Sequence, residues 1–232
     1  MKRSTEGMAG MKGMKWDSEE MAAEYDDRAA RTTPDMDLFY NAVTDAIPPQ
    51  GRRILELGCG TGILTARIRK KRPEAALVCI DNSAAMLAVA REKPELTDIT
   101  LVKGDIRDSW PTGLYDAVVS TFCLPALEPD EQQALLKRAH SALLPGGVCI
   151  TGCVIRPPTA EKEQYQLGQW EKFMQDAGLN PAEVRQQRAT WDGARTRIPT
   201  QEGFQEVLTK AGFTRIWCPY YIGLYGVFVT ER

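Results

Sequence analysis

The sequence holds a single histidine, His140, in 232 residues. That nearly removes the side chain most used for acid–base work and metal ligation near neutral pH. The six cysteines (Cys59, Cys79, Cys123, Cys149, Cys153, Cys218) show no C-x-x-C spacing and lie mostly in apolar runs. They therefore read as reduced core residues of a cytosolic chain, not as a zinc site or a disulfide framework, and no metal is expected. No run approaches the roughly 18 apolar residues that cross a bilayer. Residues 1–15 lack the continuous apolar stretch and small-residue cleavage site of a secretory signal. A soluble, cytoplasmic protein with no membrane contact is expected. An excess of one charge sign is missing too: 29 Lys+Arg stand against 31 Asp+Glu, for a net charge of −2. A bulk nucleic-acid footprint is therefore disfavoured.

What is present is an ordinary globular composition, with 43% hydrophobic residues. The length suggests one domain plus an elaboration, at about 150 residues per domain. Residues 1–15 read as a disordered tail and residues 16–232 as one domain. Within it, 16–50 would form lid helices, 52–153 the core, 156–212 a cap insertion and 213–232 a closing hairpin.

The pattern along the chain alternates. Asp17 and Glu20 suggest a capping box for a helix carrying Met21 and Tyr25. Pro34 suits a first helical position, with Phe39, Ala42, Val43 and Ala46 at helical spacing until Pro48-Pro49. Short apolar strands are then expected at 53–57, 75–80, 99–102, 115–120 and 148–153. Helical stretches at 63–71, 83–93 and 129–144 alternate with them. Such near-continuous apolar strands indicate a parallel sheet covered on both faces. Beyond it, 159–177 and a segment capped by Thr200 read as helices, whereas 180–199 reads as irregular and Arg-rich. Strands at 215–221 and 224–230 would form a C-terminal antiparallel hairpin around Gly223. The expected fold is α/β: a Rossmann-like, doubly wound, mostly parallel seven-stranded sheet with that hairpin and a helical cap.

The segment with chemistry is Glu56-Leu-Gly58-Cys59-Gly60-Thr-Gly62, between the first strand and its helix. Glycines there allow a tight turn and a close ligand approach, and the helix start offers unpaired N–H groups. The dinucleotide fingerprint G-x-G-x-x-G would need glycine where Ile63 stands. The acid Glu56, two residues before the first glycine, suits a ligand bearing an ammonium group and no phosphate. The amino-acid end of S-adenosylmethionine (SAM) fits that description.

Ile54 to Gly62 resembles motif I of the class I SAM-dependent methyltransferases. The likeness continues in order through Asp81, Gly104-Asp105 and Leu144-Pro-Gly-Gly147. It implies SAM as cofactor and a role for each matched position. Gly58, Cys59, Gly60 and Gly62 would pass under the methionyl part, with Glu56 holding the loop. Asp81 would accept the ribose hydroxyls, Asn82 would lie beside the adenine and Met86 would cover it. Asp105 would receive the adenine amino group with the Ile106 N–H nearby, and Thr121, Phe122 and Tyr25 would meet the remainder. Asp81-Asn-Ser-Ala-Ala-Met86, Gly104-Asp-Ile-Arg-Asp108 and Leu127 to Leu136 resemble the carboxy-SAM synthase family. That family makes carboxy-SAM from SAM and prephenate for tRNA wobble-uridine modification. Arg31-Thr-Thr-Pro34 and the Arg188 region have counterparts there. This chain departs from it with Gly58-Cys-Gly-Thr-Gly62 where Gly-Cys-Ser-x-Gly is usual, and with Thr121 where an Asn is used.

The leading expectation is a methyltransferase acting on a small molecule with an anionic or aromatic group. A carboxy-SAM synthase-like enzyme and a non-catalytic SAM-fold module are the alternatives. The wall for the acceptor is sought in Tyr25, Arg31 and Tyr40, and in Arg188, Trp191, Arg195, Arg197, Tyr220, Tyr221 and Tyr225. The cations from Arg67 to Arg72 sit in a helix's last turns, where the dipole favours them, and read as a solvated face before an RNA patch. Met86 reads equally as core packing, and His140 as a surface or half-buried residue. A homodimer stays open as a partner.

Overall fold

The computed structural model describes residues 18–108 and 110–232. The disordered tail expected over 1–15 and the cap expected at Asp17 lie outside the described residues. The first helix is capped instead by Ser18, whose hydroxyl accepts from the Met21 N–H. It is also short. α1 (Glu19–Ala23) ends at Glu24 and α2 (Tyr25–Thr32) starts a new helix. α3 (Met36–Asp45) begins two residues after Pro34, because Asp35 takes a left-handed conformation at its cap.

The sheet follows. β1 (Arg53–Leu57), α4 (Ile63–Lys71), β2 (Ala76–Asp81), α5 (Ala84–Glu92) and β3 (Thr100–Lys103) form the first half. β4 (Tyr115–Thr121), α6 (Pro129–Ala142) and β5 (Leu143–Val154) begin the second. β5 starts earlier than its apolar run suggests. Leu143 pairs with Tyr115, the register shifts, and Val148 resumes opposite Ala117, so Pro145-Gly146-Gly147 rides inside the strand and does not close the helix before it. α7 (Ala160–Asp176) and α9 (Gln201–Lys210) stand where the spacing puts them, capped by Thr159 and Thr200. The segment read as irregular is α8 (Pro181–Ala194). Asn180 and Glu183 form a capping box there with Pro181 at the first helical position, a local signal that outweighs the segment's sparse apolar spacing.

β6 (Arg215–Ile222) and β7 (Tyr225–Glu231) close the sheet in the order β3-β2-β1-β4-β5-β7-β6. β1 to β5 run parallel, and β7 is antiparallel to both β5 and β6. This is the expected seven-stranded, doubly wound fold. Alternate strand residues go to opposite faces. Ile54, Cys79, Ala117 and Val119 pack with α3, α4, α7 and α8, while Leu55, Val78, Ile80 and Val118 pack with α6 and α9. The order reverses between β1 and β4, so their carboxyl ends diverge and leave a crevice. No helix among the described residues is long and apolar enough to cross a membrane.

Candidate active site

The crevice at the strand ends is a cavity of about 230 Å³. The strands deliver to it residues at or just past their last ladder pairs. Gly58 and Gly60 come from the loop after β1, Asp81, Asn82 and Met86 from the end of β2 and the start of α5, and Asp105 and Ile106 from after β3. Thr121 and Phe122 come from β4, and Tyr25 covers them from α2. These are sequence-predicted positions that the fold brings together.

Backbone conformation favours glycine at the loop's two lining positions. Gly58 and Gly60 have φ of +70° and +55°, which side chains rarely adopt. A Cβ on Gly58 would collide with Cys123 Sγ at 2.0 Å, whereas over Gly60 no atom lies within 4 Å. The loop is pinned from below. The Gly60 N–H donates to Asp81 Oδ2 at 2.8 Å and the Ser83 N–H to Asp81 Oδ1 at 2.8 Å, so one carboxylate fixes both the loop and the start of α5.

Three predicted cofactor positions do not line the cavity. Glu56 is fully buried, and its Oε2 accepts from the Thr65 hydroxyl of α4 at 2.7 Å. Burial pushes its carboxyl up to about 8. It is therefore a brace between β1 and α4. Cys59 sits beneath the loop, its thiol raised first by contact with Cys79 and then by burial. Gly62 serves as the left-handed residue before α4.

Asp105 is present but occupied. Arg107 Nε lies 2.9 and 3.1 Å from its two oxygens, Arg107 Nη2 is at 2.6 Å, and the Arg107 N–H donates at 2.8 Å. These bonds hold the carboxyl below the ordinary range. Arg107 also reaches Glu131 at the start of α6 at 3.0 Å, and it lines the cavity itself. Sequence reasoning missed Arg107, Cys123, Ala126 and Leu127. The last three lie in the turn after β4, which carries no motif.

A second cavity, of about 210 Å³, lies under the lid and cap. It shares Tyr25 and Phe122 with the first, so the two meet at that pair. Phe122 has φ of +61°, uncommon for a bulky residue, and stacks on Phe39 with ring centroids 4.9 Å apart. Backbone strain of this kind concentrates at functional sites. Burial raises both the Tyr25 phenol and the Cys123 thiol to about 12, so neither is ionised at neutral pH.

Of the acceptor-wall candidates, Tyr25, Tyr40, Trp191 and Tyr225 line this second cavity, joined by Trp170 and Arg28, which the sequence did not single out. The other candidates are employed elsewhere. Arg31 pairs with Asp27 at 2.6 Å, Arg188 with Glu171 at 2.9 Å and Arg195 with Glu163 at 2.7 Å. Arg197 is buried and donates to the Pro125 carbonyl at 2.9 Å. Tyr220 packs edge-on against Phe39, and Tyr221 is exposed on β6. The expected Arg-rich face for an anion is thus a set of internal ties. The same holds for the run in α4: Arg67 pairs with Asp37, Arg69 with Asp98 and Lys71 with Asp45, and the Arg72 guanidinium sits on the Ile47 and Pro48 carbonyls. His140 is half-buried against Phe213. Among the described residues no cluster of metal-ligating side chains is found.

Residues 54–147 match the family described as "Methyltransferase domain". The chain is 32% identical over 181 residues to the carboxy-S-adenosyl-L-methionine synthase of Chromohalobacter salexigens, covering 73% of this chain and 65% of that protein. The chain thus spans less than two thirds of that relative's length. It is 27% identical over 205 residues to the synthase of the same name from a Shewanella species, covering 84% of this chain and 83% of that one. Among solved structures, the plantazolicin methyltransferase BpumL in complex with SAH superposes with a TM-score of 0.70 at 16% identity, over 97% of this chain and 94% of that one. Human N-acetylserotonin methyltransferase in complex with SAM superposes at 0.66 and 14% identity, over 100% of this chain and 60% of that one.

Proposed function

We propose that the chain, whose residues 54–147 match the family described as "Methyltransferase domain", transfers the methyl group of SAM to a small molecule held in the second cavity. The observation that carries this reading is the meeting of the two cavities at Tyr25 and Phe122. One has the glycine cradle and the strand-end carboxylate that a nucleoside-bearing ligand needs, and the other is walled mostly by apolar and aromatic side chains.

The residues fit the cofactor. Gly60 leaves open space where a Cβ would project, Asp81 would take the ribose hydroxyls, and Met86 and Ile106 would flank the base. When bound, SAM would supply an electrophilic methyl on its sulfonium, with the neutral thioether SAH as the leaving group. The chain's own part is positioning and exclusion of water. Tyr25 and Phe122 fix the point of contact, and the Tyr25 phenol, protonated at neutral pH, orients by donating. No ionised base is needed at the junction, because the leaving group is already activated.

A second reading, conversion of SAM to a carboxylated derivative, is supported by the names of the two synthases above. Against it stands Arg188, whose region has a counterpart in the synthase family. It is tied to Glu171 and Asp192 and lies outside both cavities. Mass spectrometry of ligand released from the freshly purified chain separates the two readings. SAM or its demethylated product supports methyl transfer, and a species heavier by a carboxyl group supports the alternative.

A further inference from the structure

We infer that the acceptor is a single substituted aromatic ring carrying one carboxylate, with Arg28 as the residue that reads the charge. This rests on the methyltransferase reading above and adds the substrate's class. Size comes first. An apolar cavity of about 150 Å³ holds one benzene ring, so the roughly 210 Å³ available here takes one ring with substituents and little more.

Wall chemistry comes second. Three of the aromatic side chains of the lining spend their polar atoms on the protein. Trp170 Nε1 donates to the Thr32 carbonyl at 2.7 Å, the Tyr225 hydroxyl donates to the same carbonyl at 3.0 Å, and Trp191 Nε1 donates to Glu163 Oε1 at 3.2 Å. What these rings leave for a ligand is face and edge. Such a surface takes another ring by offset or edge-on stacking and gives a sugar or a flexible aliphatic chain few polar partners.

Charge comes third. Arg28 is the one charged side chain of the lining. Its carboxylate partner is Glu24, one helical turn away at 3.5 Å and mostly exposed. An exposed pair of that kind contributes little, so a ligand carboxylate displaces it at small cost. The contrast with Arg31, Arg188 and Arg195 is direct, since each holds a carboxylate at 2.9 Å or less. A guanidinium beside an apolar wall binds a carboxylate through paired, charge-assisted hydrogen bonds.

The test is calorimetry on the full chain, first with SAH alone. Then 4-hydroxybenzoate, phenol and glutarate are titrated into both the free and the SAH-loaded protein. The expected order is 4-hydroxybenzoate tightest, phenol weaker by about tenfold, and glutarate without measurable binding. Arg28→Gln should bring 4-hydroxybenzoate down to the affinity of phenol and leave phenol unchanged, with Arg28→Lys in between. Thermal melts of both variants check that they are folded. Glutarate binding as well as the ring acid, no ring probe binding to either form, or Arg28→Gln leaving the ring acid unaffected would each overturn the inference. Failure of SAH to bind would instead strike the methyltransferase reading, while the ring probes on the free protein still report on the cavity.

Discussion

Two carboxylates on neighbouring strands show how much the partner decides at the scale of the residue. Asp81 and Asp105 both follow strand ends and both line the same cavity. Asp81 carries the loop and the start of α5, so Asp81→Ala removes support and ligand site together. SAM affinity should fall on the order of a hundredfold by calorimetry. Asp105 is already saturated by Arg107, so Asp105→Ala should cost less than about fivefold in the same titration. Equal losses would mean that Arg107 swings away to let Asp105 take the adenine amino group. Glu56 gives a prediction about pH. Its carboxyl is raised to about 8 by burial, so between about 4.5 and 8 the folded chain holds a proton that the unfolded chain has lost. The stability this contributes is full below about 4.5 and is lost as pH rises through 8, a decline on the order of a few kcal/mol. Urea unfolding of Glu56→Gln at pH 5 and pH 8.5 should show that decline removed, while parallel curves for variant and parent would contradict it. The glycine loop was legible from its spacing, and Asp81 from the resemblance to the methyltransferase motifs. Arg107 was not, because an arginine two residues past an aspartate has no signature until the turn folds it back.

At the scale of the element, one side chain ties the lid to the glycine loop. Asp26 follows Tyr25 on α2, accepts from the Thr61 hydroxyl of the glycine loop and pairs with Lys93 at 2.6 Å just beyond α5. It therefore latches the helix that covers the cavity to the elements that floor it. Lys93→Ala should accelerate SAM dissociation by about tenfold in stopped-flow release while changing the melting temperature little. An unchanged off-rate would remove the latch from the account. The core strands were readable because each is a short apolar run between turn signals, and their ends fell within about two residues. The exceptions have local causes. β5 absorbs a Pro-Gly-Gly bulge that reads as a helix stop, and α8 hides behind charged and polar residues that offer only Val184, Trp191 and Ala194 to the core. Its Asn180–Glu183 capping box was the available signal.

Across the whole molecule, the arginines expected to meet an anion instead fasten the cap to the core. Arg195 ties the end of α8 to Glu163 of α7, and buried Arg197 reaches the turn after β4 while its carbonyl accepts from Gln132 of α6. Arg197→Ala should lower unfolding free energy by about 2–4 kcal/mol, since buried carbonyls lose a charged donor. Urea unfolding checks this, and a change below about 0.5 kcal/mol would show that the clamp is dispensable. The sequence's near-neutral charge thus hides pairing more than it hides a binding face, and the second cavity could not be seen in it, because Arg28, Trp170 and Trp191 meet only after α2, α7 and α8 pack. The central claim is that the strand-end cavity binds SAM through Asp81, and calorimetric titration of SAM into the parent chain and Asp81→Ala tests it most directly. The account predicts saturable binding in the parent and a loss on the order of a hundredfold in the variant. No binding to the parent at millimolar ligand, or equal binding to both, would contradict it.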